Sequence, residues 1–267
     1  MAIVTLLTDF GTRDAYVGVM KGVILSIGPT STIVDITHHI DPQDVRQAAY
    51  TISASYKYFP KGTVHLIVVD PGVGSERTIL AVEMAGHFFL APDNGVLTPL
   101  LDEGKIEAIV SVDDSRFFLE PVSRTFHGRD IFAPAGAHIA MGVAVKDLGT
   151  LIDRKDLVRV DIPKPFVSDK GELIGAIVSF DRFGNLLSNI DSDHIAAFCG
   201  SDAENRLQIL FRGDRINSLS GVYSEAEPMR PLAVIGSFGY LEISVNLGSA
   251  RKHYAADKGD VVRVIKS

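Results

Sequence analysis

The run Val64-His-Leu-Ile-Val-Val-Asp70-Pro-Gly-Val-Gly-Ser-Glu-Arg77 ends an apolar stretch on a carboxylate, turns at Pro-Gly, and delivers an arginine seven residues on. An aspartate accepts hydrogen bonds and an arginine only donates them, so the two together can orient a small polar reactant. The strand-to-Asp pattern recurs: Ile3–Thr8 runs into Asp9-Phe10-Gly11, and Thr32–Val34 into Asp35 followed by His38-His39. In open α/β sheets, ligands sit beyond the carboxyl ends of the strands, where these residues would lie. Asp9 could accept from a ribose diol or bind Mg²⁺. Equally, it could close its own turn, with Asp14 capping the next helix. His127, within Ser123-Arg-Thr-Phe126-His127-Gly128-Arg129-Asp130, stands at a helix entrance where it could meet a ligand or merely bond a backbone carbonyl. Asp181-Arg-Phe183-Gly-Asn185 offers a ring and an amide to a heterocycle, or simply forms a hairpin turn. His38 and His39 would point to opposite strand faces, which disfavours a shared metal. Gly72-Val-Gly74 lacks the third glycine of a dinucleotide fingerprint.

These residues need a scaffold, and the first part of the chain alternates strand and helix signals. Val17, Met20, Ile24 and Ile27 share a helical face that ends at Gly28-Pro29. Asp41-Pro-Gln-Asp44 predicts a helix start, with Val45, Ala49, Ile52 and Tyr56 on one face up to Pro60. Strands are predicted over 64–69, 78–82 and 88–91, and a close-packed helix over the Ala- and Gly-rich residues 130–142. This order implies a mainly parallel sheet flanked by helices, in a first domain spanning residues 1–162. Pro163, Pro165 and Asp169-Lys-Gly171 suggest a linker. From 170 to 267, short strands over 174–180, 186–190, 206–211, 232–235, 239–245 and 260–265 predict a small antiparallel β-barrel.

The chain has 267 residues, 46% hydrophobic and 22% charged, with net charge −7. That composition suits a soluble globular protein and disfavours nucleic-acid binding, which needs a basic surface. No run reaches the roughly 18 apolar residues of a membrane span. The N-terminus lacks a basic leader, and the single Cys199 excludes an internal disulfide, so a cytoplasmic location is expected.

Thr8-Asp9-Phe-Gly11, Asp70–Arg77, Ala91-Pro-Asp-Asn-Gly95, Thr125-Phe-His-Gly-Arg-Asp130, Phe183-Gly-Asn185 and Ser237-Phe-Gly-Tyr-Leu-Glu242 follow one another in the order of a known family. Over essentially its whole length the chain resembles the S-adenosyl-L-methionine (SAM) hydroxide adenosyltransferases, or SAM hydrolases, relatives of the bacterial fluorinase and chlorinase. The resemblance implies an α/β domain, a β-barrel, and a homotrimer with active sites between subunits. It also implies cleavage of SAM by water to adenosine and methionine, with no metal or redox cofactor. It assigns Asp70, Arg77 and His127 to activation of the water. Asp9 would hold the ribose hydroxyls and Phe126 would line the sugar and sulfonium. Phe183 and Asn185 would meet the adenine, beside a wall of Ser237, Glu242 and Val245, while Asp14 and Asp181 would contact the methionine portion. Halogenating relatives typically carry Tyr at the positions of Asp70 and His127. The fluorinase has Ser at the position of Gly128, where the chlorinase also has Gly. Phe238 departs from the fluorinase, which has Arg there.

A sulfonium leaves as a neutral thioether, so no general acid is needed and the demand falls on the nucleophile. His127, with an ordinary pKa near 6.5, is expected to take the proton while Asp70 and Arg77 position the water. Three alternatives predict different products: a non-catalytic SAM- or adenosine-binding module, a SAM-dependent halogenase, and a metal-dependent phosphohydrolase using Asp9, Asp35 and Asp70.

Overall fold

The computed structural model describes residues 2–103, 105–200 and 207–266. Two compact units divide the chain, Met1–Val160 and Asp161–Ser267.

In the first unit the elements follow the order β1 (Ile3–Thr8), α1 (Tyr16–Ile27), β2 (Thr32–Thr37), α2 (Val45–Ser55), β3 (Val64–Val68) and β4 (Ile79–Met84). Then come β5 (His87–Pro92), α3 (Thr98–Glu103), β6 (Ile106–Val112), α4 (Ala133–Ala140) and β7 (Gly149–Leu151). The seven strands form one sheet in the order β2-β1-β3-β5-β4-β6-β7. Its β2-β1-β3-β5 half is parallel, while β4, β6 and β7 extend it with antiparallel pairing. Asp9 follows β1 and Asp70 lies two residues beyond β3, at the carboxyl ends of parallel strands, whereas Asp35, expected to follow a strand, lies within β2.

Every residue of β3 is buried, as its run of apolar side chains requires of a strand covered on both faces. Helix α1 buries Val17, Met20 and Ile24. It packs on α4, whose small residues let the backbone approach the sheet closely. A methyl group on Gly136 would lie 2.5 Å from Leu66 of β3. Two expected helix starts are corrected. Asp14 does not cap α1, whose cap position is Ala15 and has no side-chain hydrogen bond. Helix α2 begins at Val45 rather than at Pro42, because Gln43 takes a positive φ of 66° and only Asp44 caps, accepting from the Gln47 amide.

The second unit contains β8 (Phe166–Val167), β9 (Leu173–Phe180), β10 (Leu186–Asp191), α5 (Ser192–Cys199), β11 (Leu207–Phe211) and β12 (Asp214–Ile216). It continues with β13 (Leu219–Ser220), β14 (Pro231–Ile235), β15 (Tyr240–Val245), α6 (Ala250–Tyr254) and β16 (Val261–Lys266). The path β12-β11-β16-β9-β10-β15-β14-β13 is antiparallel except at β13–β14, and β8 pairs β9. Because β12 meets β14, the sheet curls into a nearly closed barrel. Alternate residues fill it, among them Leu207, Ile209 and Phe211 of β11 with Val262 and Val264 of β16. The strand expected from Arg206 begins at Leu207, and Arg206 lies outside the described residues. Among the described residues, no helix is long and apolar enough to cross a membrane.

Candidate active site

Asp70 sits just beyond β3, in the turn its own carboxylate organises: the Gly72 amide donates to Oδ1 at 3.2 Å. Arg77 returns across this turn and donates Nε to both carboxylate oxygens, at 3.0 and 2.8 Å, and Nη2 to Oδ2. The pair is well shielded, the side chains of Arg77 and Asp70 being 10% and 5% exposed. Gly74 makes this loop possible. Its φ is +79°, and a methyl group there would lie 2.2 Å from the Arg124 carbonyl oxygen. The Asp70–Arg77 loop therefore lies directly on the segment that carries His127.

His127 immediately precedes a π-helical turn, Gly128–Phe132, that leads into α4. Arg77 Nη2 lies 2.9 Å from His127 Nδ1. An arginine has only donors, so Nδ1 accepts and the neutral ring carries its proton on Nε2. Burial, and then the adjacent Arg77 charge, hold the His127 pKa below its ordinary value, against the opposing pull of Asp70, Asp130 and the Ser123 backbone. Asp130 is fully buried and braces the segment, accepting from Arg129 and from the Ser123 amide. Gly128 abuts Met20 and Phe126, so a side chain there would press on both at 3.1–3.2 Å.

At the end of β1, Asp9 Oδ2 accepts from the Gln43 amide at 2.8 Å. Phe10, Tyr16 and Phe126 form an aromatic trio with ring centroids 5.0–6.1 Å apart. Phe10 and Tyr16 had no role in the sequence reading. Phe10 lay inside a quoted motif, whereas Tyr16 reads simply as the start of a helix. Asp14 is exposed. Asp35 is engaged with Lys21 at 2.6 Å and lies 3.1 Å from His38 Nε2, while His38 Nδ1 meets Thr8.

The second unit has a cavity of about 710 Å³ lined by Asp181, Phe183, Asn185, Ser237, Glu242 and Val245, all singled out from sequence, together with Leu187, Tyr223, Phe238 and Asn246–Gly248. Asp181 anchors its own turn. Oδ1 accepts from the amides of Phe183 and Asn185, and Oδ2 from the Asn185 side chain at 2.7 Å. The turn and binding readings of this segment are thus compatible. The turn leaves Phe183 77% exposed at the cavity rim. Tyr223 carries no sequence signal, yet its hydroxyl donates to Glu242 Oε2 at 2.8 Å from 19 residues away.

The SAM hydroxide adenosyltransferase N-terminal domain matches residues 4–149, and the corresponding C-terminal domain residues 175–263. The chain belongs to the SAM hydroxide adenosyltransferase family. It is 35% identical to the (R)-S-adenosyl-L-methionine hydrolase of Thermus thermophilus, an alignment covering 99% of this chain and 100% of that one. The enzyme of the same name from Methanocaldococcus jannaschii is 34% identical, over 98% of this chain and 95% of the relative. A fluorinase from an Actinoplanes species is more distant, at 29% identity over 99% and 98%. Among solved structures, an uncharacterized conserved protein from Thermotoga maritima superposes with a TM-score of 0.91 at 33% identity, covering 98% of this chain and all of that one. In this chain Asp70, Arg77 and His127 form one continuous run of hydrogen bonds.

Proposed function

We propose that this protein hydrolyses S-adenosyl-L-methionine to adenosine and L-methionine, with Asp70, Arg77 and His127 preparing the nucleophile. The observation that carries the reading is the contiguity of those three side chains in a shielded site. The Thermus and Methanocaldococcus relatives are (R)-S-adenosyl-L-methionine hydrolases, and we take the (R) sulfonium epimer as the substrate to test.

The division of labour differs from the sequence expectation that His127 takes the proton. Its Nδ1 lone pair is occupied by Arg77, so His127 is a donor at Nε2 rather than a base. Asp70 and His127 hold the guanidinium from two sides, and among the described residues none engages Nη1. Nη1 then holds the nucleophile as hydroxide, the water proton leaving to solvent, because a fixed cation stabilises an anion strongly where water is excluded. Hydroxide oxygen attacks C5′ of the ribose; the C5′–S bond breaks with its electron pair going to sulfur, and methionine leaves as a neutral thioether.

Asp9 would accept from the ribose hydroxyls, and Phe126, with Phe10 and Tyr16, would face the sugar and sulfonium. Backbone at Gly128 would lie beside the reacting carbon, with Asp14 nearer the amino acid. In the second unit, Phe183 and Asn185 would meet adenine, and Asp181, Ser237, Glu242 and Val245 would wall the remainder. We further propose a homotrimer in which each site draws its two halves from neighbouring subunits. Support comes from the apolar rim of the second-unit cavity, where Phe183, Phe238 and Leu247 are exposed. The protein would work in the cytoplasm. Chromatography of purified protein with each SAM epimer, with and without chloride and chelator, tests the activity. Adenosine plus methionine, insensitive to both additions, is expected. SAM left intact despite binding would favour a non-catalytic module, a chloride-dependent nucleoside the halogenase, and loss with chelator a metal-dependent reaction.

A further inference from the structure

Two carboxylates line the second-unit cavity, and their hydrogen bonding differs sharply. Asp181 is occupied by its own turn, which supplies three donors: two backbone amides and the Asn185 side chain. Glu242 on β15 is 7% exposed, yet it receives one donor, the Tyr223 hydroxyl on Oε2. Oε1 rests against Gly236, where a methyl group would lie 1.8 Å from it, and Glu242 lines the cavity, where a ligand can reach it. No lysine or arginine lines the cavity. A largely buried carboxylate with a single side-chain donor and no cation in its cavity favours a cationic ligand. Burial and the nearby Asp181 charge accordingly raise the Glu242 pKa, against the lowering effect of Tyr223.

We infer that Glu242, positioned by Tyr223, recognises the α-ammonium group of the substrate's amino-acid portion and makes the enzyme selective for that cation. The inference rests on the proposed SAM reading and specifies which side chain of this site senses the amine. A sulfonium has no N–H to donate, and adenine does not supply a cation, so the ammonium is the part of SAM whose charge and donors match Oε1. The saturated Asp181 contributes field rather than a hydrogen bond. This departs from the expectation that Asp181 itself contacts methionine.

The test compares SAM with its 2-oxo analogue, in which a ketone replaces the α-amino group, in wild type, Glu242→Gln and Tyr223→Phe. Wild type should prefer SAM in kcat/KM by about 10- to 100-fold, the range of a hydrogen bond to a charged group. Glu242→Gln keeps an acceptor for Tyr223 but loses the charge. It should raise the KM for SAM with little change in kcat and reduce the preference to a few-fold. Tyr223→Phe should lie between. Binding of adenosine, which lacks the ammonium, should be equal in wild type and Glu242→Gln, whereas a merely structural defect would weaken it. Equal use of both substrates by wild type, or a preference unchanged in Glu242→Gln, would overturn the inference while leaving hydrolysis standing. Should SAM remain uncleaved, the activity reading fails, and calorimetric affinities for the two compounds still decide the inference.

Discussion

At the scale of single residues, the account turns on what Arg77 does to His127. The imidazole accepts from the guanidinium, so its protonation would put a proton on Nδ1 directly against Arg77 and break the bond. Because its pKa is held below 6.5, His127 is neutral at and above that value, and the His127-linked loss of kcat should fall below pH 6.5. A kcat–pH profile with that break at or above 6.5 would contradict the geometry. Arg77→Lys loses the forked contact to Asp70 and should cost about 10²–10³-fold in kcat, the scale of a lost oxyanion donor. His127→Ala, which loosens Arg77 but leaves it in place, should cost less. If His127→Ala proved the more damaging of the two, single-turnover kinetics would identify His127 as the base. The grouping of Asp70, Arg77 and His127 was expected only through the family resemblance, since the residues alone left His127 open between a ligand contact and a backbone hydrogen bond. The direction of the hydrogen bond between Arg77 and His127 was not legible, because it depends on which nitrogen faces the arginine. Tyr223 was illegible for a different reason: it lies in a short connection and acquires meaning only through a distant strand.

At the scale of elements, glycine placement explains why the motifs are spaced as they are. Gly74→Ala must expel either its positive φ or the Arg124 carbonyl. It should lower stability by about 1–3 kcal/mol and depress kcat by displacing Arg77, which denaturant melts and kinetics on the same sample can check. Away from the site, β3 and β5 bury a histidine pair: His65 bonds Thr5 through Nδ1 at 2.7 Å, and its Nε2 lies 3.3 Å from His87. Burial first, and then the His87 charge, push the His65 pKa down to about 3. The unfolded chain therefore binds a proton that the folded one refuses. This contribution is complete above pH 6.5 and is lost as the pH falls from 6.5 towards 3. Thermal unfolding should weaken by up to about 1.4 kcal/mol per pH unit over that window from this residue, and less steeply in His65→Asn. A flat Tm between pH 7 and 5 would contradict it. The strands expected over 64–69, 78–82 and 88–91 correspond to β3, β4 and β5, whose apolar runs are short and bounded by turns, whereas β2 continues through Asp35 and β6 had no predicted counterpart. The start of α2 was misread because Pro42 resembles a first-turn proline, whereas the positive φ of Gln43 delays the helix to Val45.

At the scale of the whole molecule, sequence alone anticipated an α/β unit and a β-barrel, but it did not reveal how far antiparallel strands extend the first sheet. Pairing direction beyond β5 depends on short connections whose composition does not encode it. Each unit carries half of the proposed chemistry, the Asp70–Arg77–His127 chain in one and the Glu242 cavity in the other. A homotrimer completing its sites across subunits should have three times the 28.8 kDa chain mass in light scattering. Specific activity should fall on dilution into the monomer range, and a fully active monomer would exclude that assembly. The most direct test of the central claim is single-turnover cleavage of SAM in oxygen-18 water, with mass analysis of both products. The account predicts one labelled oxygen in the 5′-hydroxyl of adenosine and none in methionine, whether or not chloride is present. A 5′-chloronucleoside, or adenosine without the label, would contradict attack by water at the ribose carbon.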